Sequence, residues 1–474
     1  MDHSHHHRDA RGIDVRSKLN HPIIDSDGHA VELRLAMPDF LKQVAGADEI
    51  KKWESQIGAP TVLQTPPGGW YLGPSGPNSI DRAMAMLPDF RKKQHQEAGI
   101  DFAIIYTTMG LQMLNIREDD RRRAFCRALN MMSADMYGSH KDTMTPSAIV
   151  PIETPQEAID ELEFSVKTLG LKTITINGSV TRQPTKDEPR RIIPLALDGE
   201  YDYDPFWKRC AELGVSVACH GGSSGSDRHA SRVNYTFNHI GTFATHGEFF
   251  CRSLFFGGVS RRFPTLNFAF LEGGVGWACS LYNSIFEHWE KRNKHSMAEF
   301  LDPRRLDVEL LIEMSKKYPN PHVTPDRVRE EFSAIRAKLP MDSPVPDDFA
   351  ACRIERGEDI RDLFTKTFFF GCEADDRMAA VAFDDRLHHE SAKFKAIFSS
   401  DIGHWDVLNA LGVLNEAYAM REDNVLTDDD FADFTFAHSV RLHGGMNPNF
   451  FKDTVVEDAA NKVLAADKKA QNTK

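Results

Sequence analysis

Eight short apolar runs, each followed by a longer helical or polar stretch, recur along this chain of 474 residues. They are PIIDSDGH (Pro22 to His29), DFAIIY (Asp101 to Tyr106), SAIVPI (Ser147 to Ile152), KTITI (Lys172 to Ile176), VSVACH (Val215 to His220), LNFAFLEGG (Leu266 to Gly274), TFFFG (Thr367 to Gly371) and KAIFSSD (Lys395 to Asp401). Strand-length runs alternating with helical patterns mark β–α units around a parallel sheet. Eight such units predict an α/β fold, a (β/α)8 TIM barrel, which needs about 250 residues before its loops grow.

The surplus length predicts insertions after strand 1 (about 48–80) and between strands 6 and 7 (about 291–358). The first contains TPPGGWYLGPSGPNS (Thr65 to Ser79), too rich in turn residues for regular structure. The second is polar and charged, with a helix expected around Leu306 to Lys317. Residues 1–20 read as a flexible His-rich tail, 21–445 as the barrel, and 446–474 as a helical extension. Helices are expected over Glu118 to Tyr137 and over Thr154 to Leu169, the latter with Thr154 as N-cap and Glu157 as its capping-box partner. Arg121 to Arg123 read as a solvated helix face.

The formal net charge is -13, which argues against a nucleic-acid or acidic-membrane partner. No apolar run approaches the ~20 residues needed to span a bilayer, and the N-terminus has no secretory h-region. The 7 cysteines are scattered and form no C-x-x-C pair. That pattern fits a reducing cytoplasm rather than a disulfide framework. The glycines after His220 (GGSSG) and in EGGVGW lack the P-loop and dinucleotide spacings, so no nucleotide cofactor is expected.

Several strands end on ionisable residues. Asp27 and His29 stand two apart on the first strand and so share a face. His220 ends the fifth, Glu272 the sixth and Asp401 the eighth. Catalytic residues of this architecture come from the C-terminal ends of different strands. Acids and histidines converging there without a cation would be costly to desolvate.

Four stretches carry a resemblance: IDSDGHAVEL (Ile24 to Leu33), DPFWKRCAELGVSVACHGG (Asp204 to Gly222), RFPTLNFAFLEGGVGW (Arg262 to Trp277) and FSSDIGHWD (Phe398 to Asp406). In this order they resemble the amidohydrolase-related, metal-dependent enzymes of the aminocarboxymuconate-semialdehyde decarboxylase type, over about residues 20–445 outside the insertions. The resemblance implies metal ligation by Asp27, His29, His220 and Asp401, with Asp401 also handling protons. The chain departs from the simplest family pattern at Asp27 and Glu272, where histidines are usual.

Glu32, Glu272, His288 and His404 lie beside the matched motifs and extend the candidate ligand set. A catalytic zinc usually takes three protein ligands and a water. A surplus of carboxylate and imidazole suits one or two ions of zinc, iron or manganese. His246, placed in the loop after the fifth strand, is a candidate substrate contact. The resemblance implies hydrolysis or non-oxidative decarboxylation of a small organic acid or amide, with His220, His404 and Asp401 moving protons. An alternative is a dinuclear iron or manganese enzyme that uses O2 to hydroxylate a small carboxylic or amino acid, which a few members of the family with acid-rich first-strand motifs resemble. A third reading is a silent paralogue that stabilises an active partner subunit. The small molecule is the expected partner, beside a homo-oligomer or a hetero-oligomer with a paralogous subunit.

Overall fold

Eight barrel strands run parallel, each fed by an apolar run of the sequence. The computed structural model describes residues 11–55, 73–182, 191–220, 231 and 234–472. Strands β1 (Ile24–Ala30), β2 (Phe102–Thr107) and β3 (Met144–Pro146) form one sheet in that order. A second sheet orders β11 (Lys395–Phe398), β10 (Phe368–Cys372), β9 (Phe268–Phe270), β8 (Ser216–Cys219), β5 (Thr173–Ile176) and β4 (Ala148–Ile149). β3 and β4 are one strand interrupted at Ser147, whose N–H still donates to the Ile105 carbonyl at 2.8 Å. The ring is joined on the other side by Asp401 N–H to the Asp27 carbonyl (2.9 Å) and His29 N–H to the Ile402 carbonyl (2.8 Å). The eight-stranded barrel is therefore the fold. An antiparallel hairpin of β6 (Ser179–Arg182) and β7 (Arg191–Pro194), which the sequence reading did not foresee, sits between the fourth and fifth barrel strands.

Ile24, Phe102, Ile104, Ala218, Ala269, Phe369 and Ile397 fill the interior. Alternation along each strand puts these side chains inward and their neighbours against the surrounding helices. The lower end is closed by Phe436, Val440, Phe450, Phe451 and Ala460. Phe436 and Val440 come from the helical run after Asp401, Phe450 and Phe451 from the turns that follow it, and Ala460 from the closing helix Glu457–Asn472.

Several local expectations are revised. From residue 11 the supposed tail is ordered, with a helix Gly12–Arg16 that buries Val15. Gly12 lets this helix touch the backbone, since a Cβ there would meet the Ala98 carbonyl. Thr154 does cap its helix, accepting from Glu157 N–H at 3.2 Å, but the Glu157 carboxylate turns to Arg122 instead of back to the cap. Arg122 is correspondingly buried and not part of a solvated face; its Nε and Nη2 reach Glu157 at 2.9 and 3.0 Å. In the insertion between β9 and β10, helices Val308–Lys317 and Pro325–Lys338 pack on each other. The His-rich residues 1–10, the centre of the first insertion (56–72) and the GGSSG run lie outside the described residues. Among the described residues, no helix is long and apolar enough to cross a membrane. The seven cysteines are all buried and free.

Candidate metal centre

A bulge in β1 sets the site. Asp25 pairs with Ala103 and Gly28 with Ile105, so Ser26 and Asp27 together face the single residue Ile104. The extra residue lets Asp27 and His29 point inward on the same strand whose start buries Ile24 in the barrel. Asp25 is turned to the neighbouring strand, where it accepts from Ser400 N–H (2.9 Å) and Ser400 Oγ–H (2.7 Å). The His29 carbonyl accepts from the buried Arg91 guanidinium at 2.6 Å. Asp27 and Asp401 are thereby fixed side by side.

The side chains converge tightly. His29 Nε2 lies 3.4 Å from Asp27 Oδ1, 3.3 Å from Asp401 Oδ1 and 2.9 Å from His220 Nε2. His220 Nε2 is 3.5 Å from Asp27 Oδ1 and 3.6 Å from Glu272 Oε2. His404 stacks on His29 with ring centroids 3.7 Å apart, and its Nδ1 stands 2.7 Å from Asp401 Oδ1. Glu272 and Asp401 sit in the left-handed backbone region with φ of 57° and 53°. Such non-glycine conformations cost on the order of 1–3 kcal/mol and persist where the surroundings enforce them.

Both carboxylate oxygens of Asp27, Glu272 and Asp401 are buried without a hydrogen-bond partner. Burial raises carboxyl pKa values, yet the His220 and His29 rings hold Asp27 well below the usual range. Burial, then the Glu272 and Asp406 carboxylates, push Asp401 far up. Burial likewise raises Glu272, reinforced by Asp27 and Glu373. On the basic side, burial pulls His29 down to about 4 against the pull of Asp27. Six naked oxygens facing imidazole rings are the donor set of a hard or borderline divalent cation. Asp27, His29 and His220 offer donor atoms within 4.8 Å of one another, and so do His29, Glu272, Asp401 and His404. The residues present fit a metal.

Other candidates fall elsewhere. Glu32 stands aside from these groups, its Oε2 accepting from Met109 N–H at 3.0 Å and its carboxyl pushed by burial to about 8. His288 is exposed on helix Gly276–Arg292, with Nδ1 2.6 Å from the Ser284 carbonyl, and joins no ligand group. That corrects its place in the ligand set: a residue near a matched motif in sequence had turned outward on the helix. His246 lies not in a loop but in helix Thr242–Phe256, with Nδ1 2.9 Å from the Thr242 carbonyl.

Three residues were missed. His239 Nε2 stands 3.7 Å from Glu272 Oε1, and His239, Glu272 and Asp406 form a third convergent group. Glu373, just past β10, adds another carboxyl, pushed to about 8 by burial and by Asp406. Asp406 belonged to the FSSDIGHWD run and was legible there. His239 follows a stretch with no periodicity and gave no signal. At the rim, Arg82 on helix Ser79–Met86 has Nε and Nη2 buried without a hydrogen-bond partner. A side chain at Gly73 would lie 3.5 Å from that Nη2 and 3.1 Å from the Gly403 carbonyl, beside His404.

The fold is shared with solved structures. An amidohydrolase from Mycobacterium avium subsp. paratuberculosis K-10 aligns at 17% identity with a TM-score of 0.54, over 90% of this chain and 100% of that one. A dihydroxybenzoic acid decarboxylase from Polaromonas sp. JS666, solved with manganese and 2-nitroresorcinol, aligns at 15% with a TM-score of 0.51, over 89% and 97%. The sequence profile of the Amidohydrolase family (Amidohydro_2) matches residues 24–338, well over half of the length, and the chain belongs to that family.

Proposed function

We propose that this chain is a metal-dependent enzyme that hydrolyses or non-oxidatively decarboxylates a small organic acid. The observation that carries the reading is the set of buried, partnerless carboxylate oxygens of Asp27, Glu272 and Asp401 facing His29 and His220. Asp27, His29, His220 and Asp401 would hold the first ion, with Glu272 and His404 beside it. When bound, one or two ions of zinc, iron or manganese supply Lewis-acid polarisation of a substrate oxygen; manganese is the ion of the Polaromonas decarboxylase.

The chain's own residues handle the protons. Burial pulls the His404 ring well below its ordinary pKa, so it stands as a proton acceptor with Asp401 beside it. Oδ1 and Nδ1 at 2.7 Å can therefore pass one proton between them. Hydrolysis needs that proton taken from water, and decarboxylation needs it delivered to carbon; a pair of this kind serves either direction. Thr108 Oγ1, 3.2 Å from His404 Nε2, fixes the ring. Arg82 favours an acid over an amide, because the buried Nε and Nη2 of its part-buried guanidinium lack a hydrogen-bond acceptor that an anion would supply.

A second reading is an O2-dependent hydroxylase of a small carboxylic acid. The observation favouring it is the acid-rich Glu272 position with His239 and Asp406 alongside. Anaerobic purification with elemental analysis, then a screen of small carboxylates and amides with an oxygen electrode, separates the two. We expect turnover without O2, abolished in Asp401→Asn. Oxygen consumption matching product would move the assignment to the hydroxylase, and full activity in Asp401→Asn would remove Asp401 from the chemistry.

A further inference from the structure

The charge balance of the mouth is unusual. Asp27, Glu272, Glu373, Asp401 and Asp406 act on one another electrostatically. Among the described residues, no Lys or Arg forms an ion pair with any of them. With no Lys or Arg paired to these crowded carboxyl groups, cations are what can offset them.

The geometry gives the second charge a place. Asp27, His29 and His220 converge on one side of the Glu272 carboxylate. Its other oxygen, Oε1, faces His239 Nε2 at 3.7 Å, with Asp406 in the same group. Glu272 is 8% exposed, and neither of its oxygens has a hydrogen-bond partner. His239 Nε2 and Asp406 Oδ1 are likewise buried without one. The His239 ring is held in orientation by Tyr235, stacked at 5.3 Å, and by Phe243 and Trp405, each edge-on at 5.5 Å. Three donors of mixed carboxylate and imidazole character within 4.8 Å of one another, with both Glu272 oxygens and His239 Nε2 buried without a hydrogen bond, are what a divalent cation requires.

We infer that His239, Glu272 and Asp406 form a second divalent-cation site, with Glu272 shared between it and the first. The inference rests on the reading that Asp27, His29, His220 and Asp401 hold an ion. Its own content is the pair His239 and Asp406, which lie outside the motifs' ligand positions.

Stripping the full-length protein with chelator and titrating it with Mn2+ tests the assignment. Bound metal is counted by elemental analysis, and coupling between ions is read by low-temperature electron paramagnetic resonance. Wild type should take two equivalents and give an exchange-coupled signal. His239→Gln and Asp406→Asn should each take one equivalent, lose the coupling, and weaken the second binding event at least tenfold. Circular dichroism confirms that the variants fold, and His239, which is part-exposed, is the safer substitution. One equivalent in wild type, unchanged in the variants, overturns the second site and leaves the first. Two equivalents in wild type and variants alike overturn the assignment to His239 and Asp406. No bound manganese in wild type overturns both this inference and the metal-enzyme reading beneath it.

Discussion

His443 shows how a single ring ties stability to pH away from the metal. It is buried at the lower end of the barrel, with Nδ1 2.8 Å from Ser216 Oγ and its face stacked on Phe450 at 4.5 Å. Burial pulls its pKa from 6.5 down to about 3. Above pH 6.5 neither the folded nor the unfolded chain protonates it. Between 6.5 and 3 the unfolded chain takes a proton that the folded chain refuses, so stability falls as pH falls. The loss reaches about 1.4 kcal/mol per pH unit within that window. His443→Gln should flatten the decline of the thermal midpoint between pH 6.5 and 4, while leaving the metal content untouched. An equally steep decline in the variant would show that other groups carry the acid sensitivity. The same scale explains what sequence reading missed at the mouth. Asp27, His29, His220 and Asp401 were legible because they stand on or directly after strand-like runs, inside stretches that resemble the family's motifs. His239 reaches the site only through a helix that no periodicity announced, and His288 was credited by mere proximity to a motif.

Among the elements, the helix Asp119–Tyr137 presents an arginine inward. Arg122 spans to Glu157 on the helix Pro155–Glu163 and also reaches Asp119 at 2.7 Å and the Ile116 carbonyl at 2.8 Å. Removing one member of a buried pair leaves an unpaired charge, at about 3–5 kcal/mol. Arg122→Met should therefore lower the urea midpoint sharply, and Arg122→Met with Glu157→Met should recover most of the loss. A double variant no better than the single would mean that the carbonyl and Asp119 contacts dominate. Helix positions could be read from the pattern, and the insertion helix expected near Leu306–Lys317 is there as Val308–Lys317. The destination of Arg122 could not be, since a run of three arginines carries no record of which one the fold turns inward. The Thr154 cap was legible because it is local; the Glu157 partner was not, because a distant guanidinium outcompetes the cap.

For the molecule as a whole, the barrel depends on its own C-terminal segment. Phe451 is buried against Phe102 with centroids 5.5 Å apart, and the helix Glu457–Asn472 follows it directly. Phe451→Ala should cost about 3–5 kcal/mol, measured by denaturant unfolding, while metal bound per folded chain stays constant. Loss of metal in the folded variant would mean that the floor also shapes the mouth. The eight-unit alternation made the barrel itself legible. That the last segment seals the floor was not, because a polar helix preceded by two phenylalanines does not say which cavity those rings enter. The bulge at Ser26 and Asp27 bears on the whole molecule as well. By adding one residue it separates the reading frame of the floor from that of the mouth within a single strand. Ile24 can answer to packing while Asp27 and His29 answer to chemistry, so a ligand there can change from histidine to acid without the hydrophobic layer below registering the change. Deleting that one residue would leave a chain able to fill the barrel and unable to aim its ligands.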